Sequence, residues 1–176
     1  MAVMGLMVLA YPLHGLSLTG DLTNDPAKVV EKYLSLDKRG ARLYASSYDV
    51  LFPFVDWHEE PVWGHVVVIS DYHVIEDVSQ WQILNSLETF IPVTFHILGT
   101  MQWEAATFLP DKETRLEHFH VKEVGNRWRI IGPLLPPHVG MSRLINFVRQ
   151  AQLDGPTETR KAALFNLQKT LEQARQ

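Results

Sequence analysis

Asp71 and His73 lie two residues apart in a stretch that the sequence predicts to be extended. Side chains two apart on a strand point to the same face. A carboxylate next to an imidazole can orient that imidazole as a general base, so the pair is a candidate for acid–base catalysis. The alternative interpretation is an edge strand with polar side chains, which Glu76 and Asp77 would extend.

Glu59 and Glu60 form a second candidate acid–base pair, because they stand between Trp57 and Trp63. Burial against tryptophan raises the pKa of a carboxyl group and suits it to proton transfer. A structural role is the alternative, in which the tryptophans close the interior while one glutamate pairs with an arginine. We favour the structural role, since two adjacent loop residues rarely both point inward.

His118 and His120 would lie on one face of a strand at the spacing of two metal ligands, with His96 as a third. Lys122 and Arg129 fall on that same face and repel a divalent ion, so we predict a basic strip and no metal site. The chain has no cysteine, which excludes disulfides and a thiol nucleophile. It also has no phosphate-binding loop, dinucleotide-binding glycine turn or nucleophile elbow, and no cofactor is expected.

The histidine pair belongs to a predicted β-hairpin whose two-residue turn is Gly125 and Asn126. This register sorts the hairpin into an apolar face and a basic face, because directly opposed residues share a face. The expected opposed pairs are Glu123 with Trp128, Val121 with Ile130, and Phe119 with Gly132.

Hydrophobic periodicity indicates the elements that position these candidates. Helices are predicted over residues 26–39, 47–54, 141–152 and 157–175, and strands over 66–69 and from Ile91 onward. We expect a turn at 110–112 and the end of the sheet at Pro136 and Pro137. The order predicts an α+β fold in which N-terminal helices pack on one face of a strongly curved antiparallel sheet, with C-terminal helices appended.

The first twenty residues contain no Lys, Arg, Asp or Glu, and residues 1–10 are nearly all apolar. We interpret residues 1–20 as a signal peptide cleaved after about Ser17, followed by a cone-fold domain at 21–140 and a helical extension at 141–176. A core strand or a membrane anchor is the alternative, although Pro12 and Gly15 interrupt the run too early for a spanning helix. The expected location is therefore periplasmic or secreted, or cytoplasmic if this segment is not a signal.

A net charge of −4 gives no electrostatic reason to expect a nucleic-acid partner. Four segments resemble the nuclear-transport-factor-2-like superfamily, whose cystatin-like cone fold is shared with ketosteroid isomerase, and in particular its exported, uncharacterised bacterial members. These segments are residues 32–37 (KYLSLD), 57–63 (WHEEPVW), 126–130 (NRWRI) and 133–138 (PLLPPH). The resemblance implies a cone with a cavity and leaves the activity open, because this fold carries many functions.

We therefore expect a non-enzymatic domain that binds a small apolar molecule or a protein partner in or beside the cone. The aromatic residues expected to line the cavity are Tyr33, Trp57, Trp63, Trp103 and Trp128. One alternative is an enzyme of isomerase or dehydratase type that uses one of the two acid–base pairs. The other is a structural homodimer assembled through the sheet.

Overall fold

Six strands form one strongly curled, half-barrel sheet in this computed structural model, which describes residues 25–175. The helices are α1 (Pro26–Lys38), α2 (Met141–Leu153) and α3 (Glu158–Ala174), with 3₁₀ helices at Ala45–Leu51 and Val78–Gln80. The strands are β1 (His65–Val74), β2 (Gln82–Asn85), β3 (Glu88–Gln102), β4 (Thr107–Glu123), β5 (Trp128–Gly132) and β6 (His138–Gly140). The predicted α+β class, with helices packed on a strongly curved sheet and helices appended at the C-terminus, is confirmed.

The strands are ordered β5-β4-β3-β1-β6, and β2 pairs with the first residues of β3. All pairings are antiparallel except that of β6, which runs parallel to β1. The prediction that Pro136 and Pro137 end the sheet was therefore wrong. Strand β5 ends directly before Pro133, and after Pro136 and Pro137 the chain adds β6 at the opposite edge of the sheet, beside β1.

Irregularities in β1, β3 and β4 lie next to one another across the sheet. Ser70 in β1 and Leu98 in β3 have no opposite residue in the β1–β3 pairing. On the neighbouring strand, the β3–β4 register shifts between Pro110 and Glu113, on either side of Lys112. A bulge bends a strand and increases its twist, so three adjacent irregularities bend the sheet along one line. We call Ser70, Leu98 and Lys112 the bulge line.

The bulge in β1 reverses which side chains face α1. Before it, Val67 and Ile69 lie in the core beneath α1, and after it the inward residues are Tyr72 and Val74. An unbroken strand would keep one parity throughout, because its side chains alternate strictly. The extra residue Ser70 thus keeps apolar side chains facing α1 along the whole length of β1.

The sheet is covered by helices on both faces. Val67 and Ile69 pack in the core with α1, whereas Val66 and Val68 pack in a second core with α2 and α3. Alternate residues of one strand point to opposite faces. The C-terminal helices therefore pack on the face of β1 opposite to α1.

Helix α1 begins and ends where the sequence predicts. The Asp25 carboxylate accepts hydrogen bonds from the backbone N–H groups of Ala27 and Lys28, and Pro26 occupies the first turn. The helix ends before Gly40, which has a φ of 81° that favours glycine. Its buried stripe consists of Ala27, Val29, Val30, Tyr33, Leu34 and Asp37.

The β4–β5 hairpin has the predicted turn, with a φ of 59° at both Gly125 and Asn126. Positive φ at both central residues is typical of a type I′ turn, whose twist matches that of the strands. Two predicted pairs, Glu123 with Trp128 and Val121 with Ile130, are confirmed. The third pair, Phe119 with Gly132, was wrong, because the register shifts between His120 and Val121 and places His120 opposite Gly132.

The predicted turn at residues 110–112 was also wrong. These residues lie inside β4, and the chain turns at residues 103–106, where Ala106 has a φ of 49°. Proline is tolerated in a strand whose N–H side faces away from a partner. Pro110 pairs with β3 on one side, and β5 is too short to reach it on the other. Within residues 25–175, no helix is both long and apolar enough to cross a bilayer.

Replacing Gly99 with alanine should destabilise the fold strongly. Gly99 has a φ of 150°, and a Cβ there would lie 2.3 Å from the Leu109 carbonyl oxygen. We expect G99A to lower the free energy of unfolding by at least about 2 kcal/mol in urea denaturation. Gly64 is the control, because its added Cβ would meet nothing within 4 Å. Equal, small effects of G99A and G64A would contradict the described path of β3.

Candidate functional site

A buried arginine, Arg42, holds together four parts of the chain. Its Nη1 donates to the Tyr33 hydroxyl at 3.1 Å and to the Asp37 carboxylate at 3.3 Å. Its Nε donates to Glu60 at 2.8 Å, and Nη2 donates to Glu60 and, at 2.6 Å, to the Leu135 carbonyl oxygen. A guanidinium has five N–H groups, and all five are used here. Arg42 therefore has no free donor for a ligand.

The carboxylate of Asp37 is fully buried beside Arg42, and its Oδ2 also accepts a hydrogen bond of 3.0 Å from the backbone N–H of His138. Burial raises the pKa of Asp37 from 3.8 to about 6, although the Arg42 charge opposes this shift. The pKa of Tyr33 is also raised, mainly by burial. Tyr33, Asp37, Arg42, Glu60 and His138 together are called the Arg42 cluster.

His138 is buried and neutral. Its Nδ1 lies 2.7 Å from the Pro136 carbonyl oxygen and must carry a proton to bond there, so Nε2 is the bare nitrogen. Burial lowers the pKa of His138 from 6.5 to about 4. The imidazole ring packs against the Phe95 ring with 4.4 Å between centroids, which fixes β6 against β3.

Several buried polar atoms around the cluster lack a hydrogen-bond partner among the described residues. They are Asp37 Oδ1, Tyr48 OH, Trp57 Nε1, Glu60 Oε2 and His138 Nε2. Burial and the Glu60 charge raise the pKa of Tyr48 to about 12, and its hydroxyl lies beside both the Trp57 indole and the Glu60 carboxylate. Small side-chain rotations would let the Trp57 N–H bond to Tyr48 and the Tyr48 O–H bond to Glu60. The Arg42 cluster is therefore mainly a structural junction.

A larger pocket, which we call the basic pocket, opens where α1 ends and α2 begins. Its volume is about 510 Å³, and its apolar lining residues are Ile69, Leu98, Met141 and Ala174. The bulge line forms one wall, because Ser70, Leu98 and Lys112 all line it. The cationic side chains around it are Lys38, Arg39, Lys112, Arg143 and Arg175.

The electrostatics of the basic pocket favour an anion. Among residues 25–175, its lining contains five cationic side chains and no carboxylate or histidine. Of these five cations, Lys38 alone is in an ion pair within this range, at 2.7 Å from Asp71, whose pKa it lowers. The Nε atoms of Arg39 and Arg143 donate to the backbone carbonyl oxygens of Ser35 and Arg39. Arg39, Lys112, Arg143 and Arg175 take part in no salt bridge among residues 25–175.

The first turn of α2 adds to this positive field. Gly140 is its N-cap and supplies no side chain to accept from the first amide groups, while Met141 and Ser142 line the pocket. Unpaired N–H groups and the helix dipole stabilise negative charge at such an end. The backbone and the side chains therefore act in the same direction.

The candidate acid–base pairs are not brought together in a shared site. Glu59 and His73 are exposed, and Asp71, with 68% of its side chain exposed, pairs with Lys38. Across the strands, Asp71 faces His96 and His73 faces Thr94. Glu60 accepts from Arg42 and from the Trp63 indole at 2.6 Å, as the structural interpretation of that loop expects.

The predicted cavity residues are divided between the packed core and a small second pocket. Tyr33 and Trp57 pack edge-to-face beneath α1, with 6.1 Å between ring centroids, and Trp128 packs against the same core. Trp63 and Trp103 line a pocket of about 180 Å³ beside Arg42. Arg160 lies over one face of Trp103 at 4.8 Å, and Phe147 packs against the ring at a similar distance.

His118 and His120 do not form a metal site with other residues in the part of the chain that the structure describes. His120 stacks on Phe90, and its Nε2 lies 2.7 Å from the Glu88 carboxylate. In the described part of the chain, no group of three or more His, Cys, Asp or Glu residues is placed to hold a metal ion.

The residues of the basic pocket were not predicted from the sequence. Its cations come from the end of α1, the middle of β4, the first turn of α2 and the end of α3. The usable signal was weak: Lys38 and Arg39 lie at the C-terminal end of a predicted helix, where cations are already favoured by the helix dipole. Comparison with known proteins adds nothing, since no protein family, curated protein or solved structure matches the chain.

Replacing Arg42 with methionine should cost about 3–5 kcal/mol of unfolding free energy, because Asp37 and Glu60 would lose their buried counter-charge. Arg149 is the control, since its ion pair with Glu172 is exposed. R149M should cost less than about 1 kcal/mol. Similar urea midpoints for R42M and R149M would show that the cluster is not a structural junction.

The Arg42 cluster also predicts how stability depends on pH. The raised pKa of Asp37 contributes stability that is present below about pH 3.8 and lost as the pH rises through about 6. The lowered pKa of His138 contributes stability that is present above about pH 6.5 and lost as the pH falls through about 4. Between about pH 4 and pH 6, lowering the pH therefore increases stability through Asp37 and decreases it through His138.

D37N should therefore lose stability more steeply than the natural protein when the pH is lowered from about 6.5 to about 4, because only the His138 effect remains. Urea midpoints across this range measure the slope. D111N, at an exposed site, controls for the loss of a carboxylate. Parallel profiles for D37N and the natural protein would contradict the assigned shift of Asp37.

Proposed function

We propose that this chain is a non-enzymatic binding domain that holds an organic anion with an apolar body in the basic pocket. The observation that carries the proposal is the pocket lining, which among the described residues combines five cations with apolar side chains and contains no carboxylate. The chain as a whole is acidic, with a net charge of −4, so this concentration of positive charge is local. The volume of about 510 Å³ is typical of small-molecule sites.

The chemistry of the lining supports binding over catalysis. Ser70 and Ser142 are its only hydroxyl side chains, and no described carboxylate or imidazole lines the pocket to activate either of them. Arginine and lysine recognise carboxylates and phosphates by charge-assisted hydrogen bonds. The apolar residues of the same lining favour a ligand with an anionic head and a hydrocarbon body.

Other predictions keep the status of hypotheses. The membership of the nuclear-transport-factor-2-like superfamily is one, and an isomerase or dehydratase activity is another. Homodimerisation through the sheet is a third. Proline and charged residues on an edge strand oppose pairing with another chain, and the free edge of β4 carries Pro110, Asp111 and Lys112. Export rests on residues 1–20, which lie outside the described residues.

Isothermal titration calorimetry with octyl phosphate and octanoate tests the proposed function. We expect both anions to bind and octanol and octylamine to bind at least tenfold more weakly, because only the anions satisfy the cations. R39Q/K112Q should weaken octyl phosphate binding at least tenfold, since each charge-assisted hydrogen bond contributes about 1.5–3 kcal/mol.

K169Q is the matched control, because Lys169 is an exposed cation on α3 outside the basic pocket. It should leave the affinity for octyl phosphate unchanged. The proposal fails if octanol binds as tightly as octyl phosphate, or if K169Q weakens binding as much as R39Q/K112Q does.

A further inference from the structure

Another pocket adjoins the basic pocket at the bulge line. This pocket, which we call the tail pocket, has a volume of about 310 Å³ and is lined by residues of β1, β3 and β4. Ser70, Leu98 and Lys112 line both pockets, so the two share one wall. The shared wall consists of the residues at which the three strands depart from regular pairing.

The tail pocket differs from the basic pocket in its charge. It contains one cation, Lys112, and one carboxylate, Glu113, which pairs with Arg115. Because Lys112 also lines the basic pocket and Arg115 pairs with Glu113, the described residues of the tail pocket offer no cation of their own to a second anionic group. A neutral group is therefore the better fit at this end of the groove.

Two side chains in the tail pocket can hydrogen-bond such a group. His96 is exposed, and its Nδ1 lies 3.4 Å from the Thr114 hydroxyl. Its Nε2 has no partner among residues 25–175, whereas the Ser70 hydroxyl already donates to the His96 carbonyl oxygen at 3.2 Å. His96 and Thr114 thus offer an imidazole nitrogen and a hydroxyl to a ligand that lies along the groove.

We infer that the ligand is elongated, with its anionic head in the basic pocket and a neutral hydrogen-bonding group, such as a hydroxyl, beside His96 and Thr114. This inference rests on the proposed function, because the head must first be held by the cations. Two residues of strand separate Leu98 from His96, a distance of about 7 Å. A hydrocarbon chain of moderate length can therefore connect the two ends.

The test uses calorimetry to compare alkyl phosphates with their ω-hydroxy counterparts. The chains range from about 6 to about 12 carbons, so that they cover the distance of about 7 Å between Leu98 and His96 and longer paths from the cations. At one chain length, the ω-hydroxyl should raise the affinity of the natural protein roughly threefold to tenfold, as one net hydrogen bond would. H96A/T114V should abolish this gain and leave the affinity for the plain alkyl phosphates unchanged.

H73A/T94V is the matched control, because His73 and Thr94 face each other on β1 and β3 and line neither pocket. It should keep the gain from the ω-hydroxyl. The inference is overturned if no chain length shows a gain, or if the gain survives in H96A/T114V. If no alkyl phosphate binds the natural protein, the proposed function fails first and this inference fails with it.

Discussion

The break in strand regularity at Ser70, Leu98 and Lys112 is the constraint on which the rest of this structure depends. It bends the sheet and lets β1 keep apolar side chains towards α1 on both sides of the bend. In β3 it turns Met101 towards the second core with α2 and α3, although Ile97, four residues earlier, faces the first core. A regular sheet would have no such line, and neither pocket along it would form, because both are walled by the irregular residues.

Buried charge and accessible charge have different roles in this protein. Arg42 is almost fully buried, and all of its donors are bound to the protein, so it joins α1, the loop at Glu60 and the segment before β6. The cations of the basic pocket include four without a described salt bridge, and they surround open volume. The Arg42 cluster is a structural junction because every N–H group of Arg42 is bound to the protein. The basic pocket is a candidate site because its cations can still bind a ligand.

Local patterns were sufficient to predict α1 and the β4–β5 turn but insufficient to predict β6, the course of β4 or the site. The cap at Asp25 and the turn at Gly125 and Asn126 depend on nearby residues, and both were predicted correctly. Pro110 misled the prediction, because a proline on a free strand edge has the same sequence signature as a turn. The bulges and the basic pocket arise from pairing between distant segments, which one sequence without that pairing does not specify.

We propose that the bulge line and the start of α2 together bind an organic anion. Titration of the ¹⁵N-labelled protein with octyl phosphate, followed by two-dimensional NMR, measures where an anion binds. We expect saturable chemical-shift changes concentrated at Ser70, Leu98, Lys112 and the first turn of α2. Shifts centred instead on Trp63 and Trp103, or spread over exposed lysines without saturation, would contradict it.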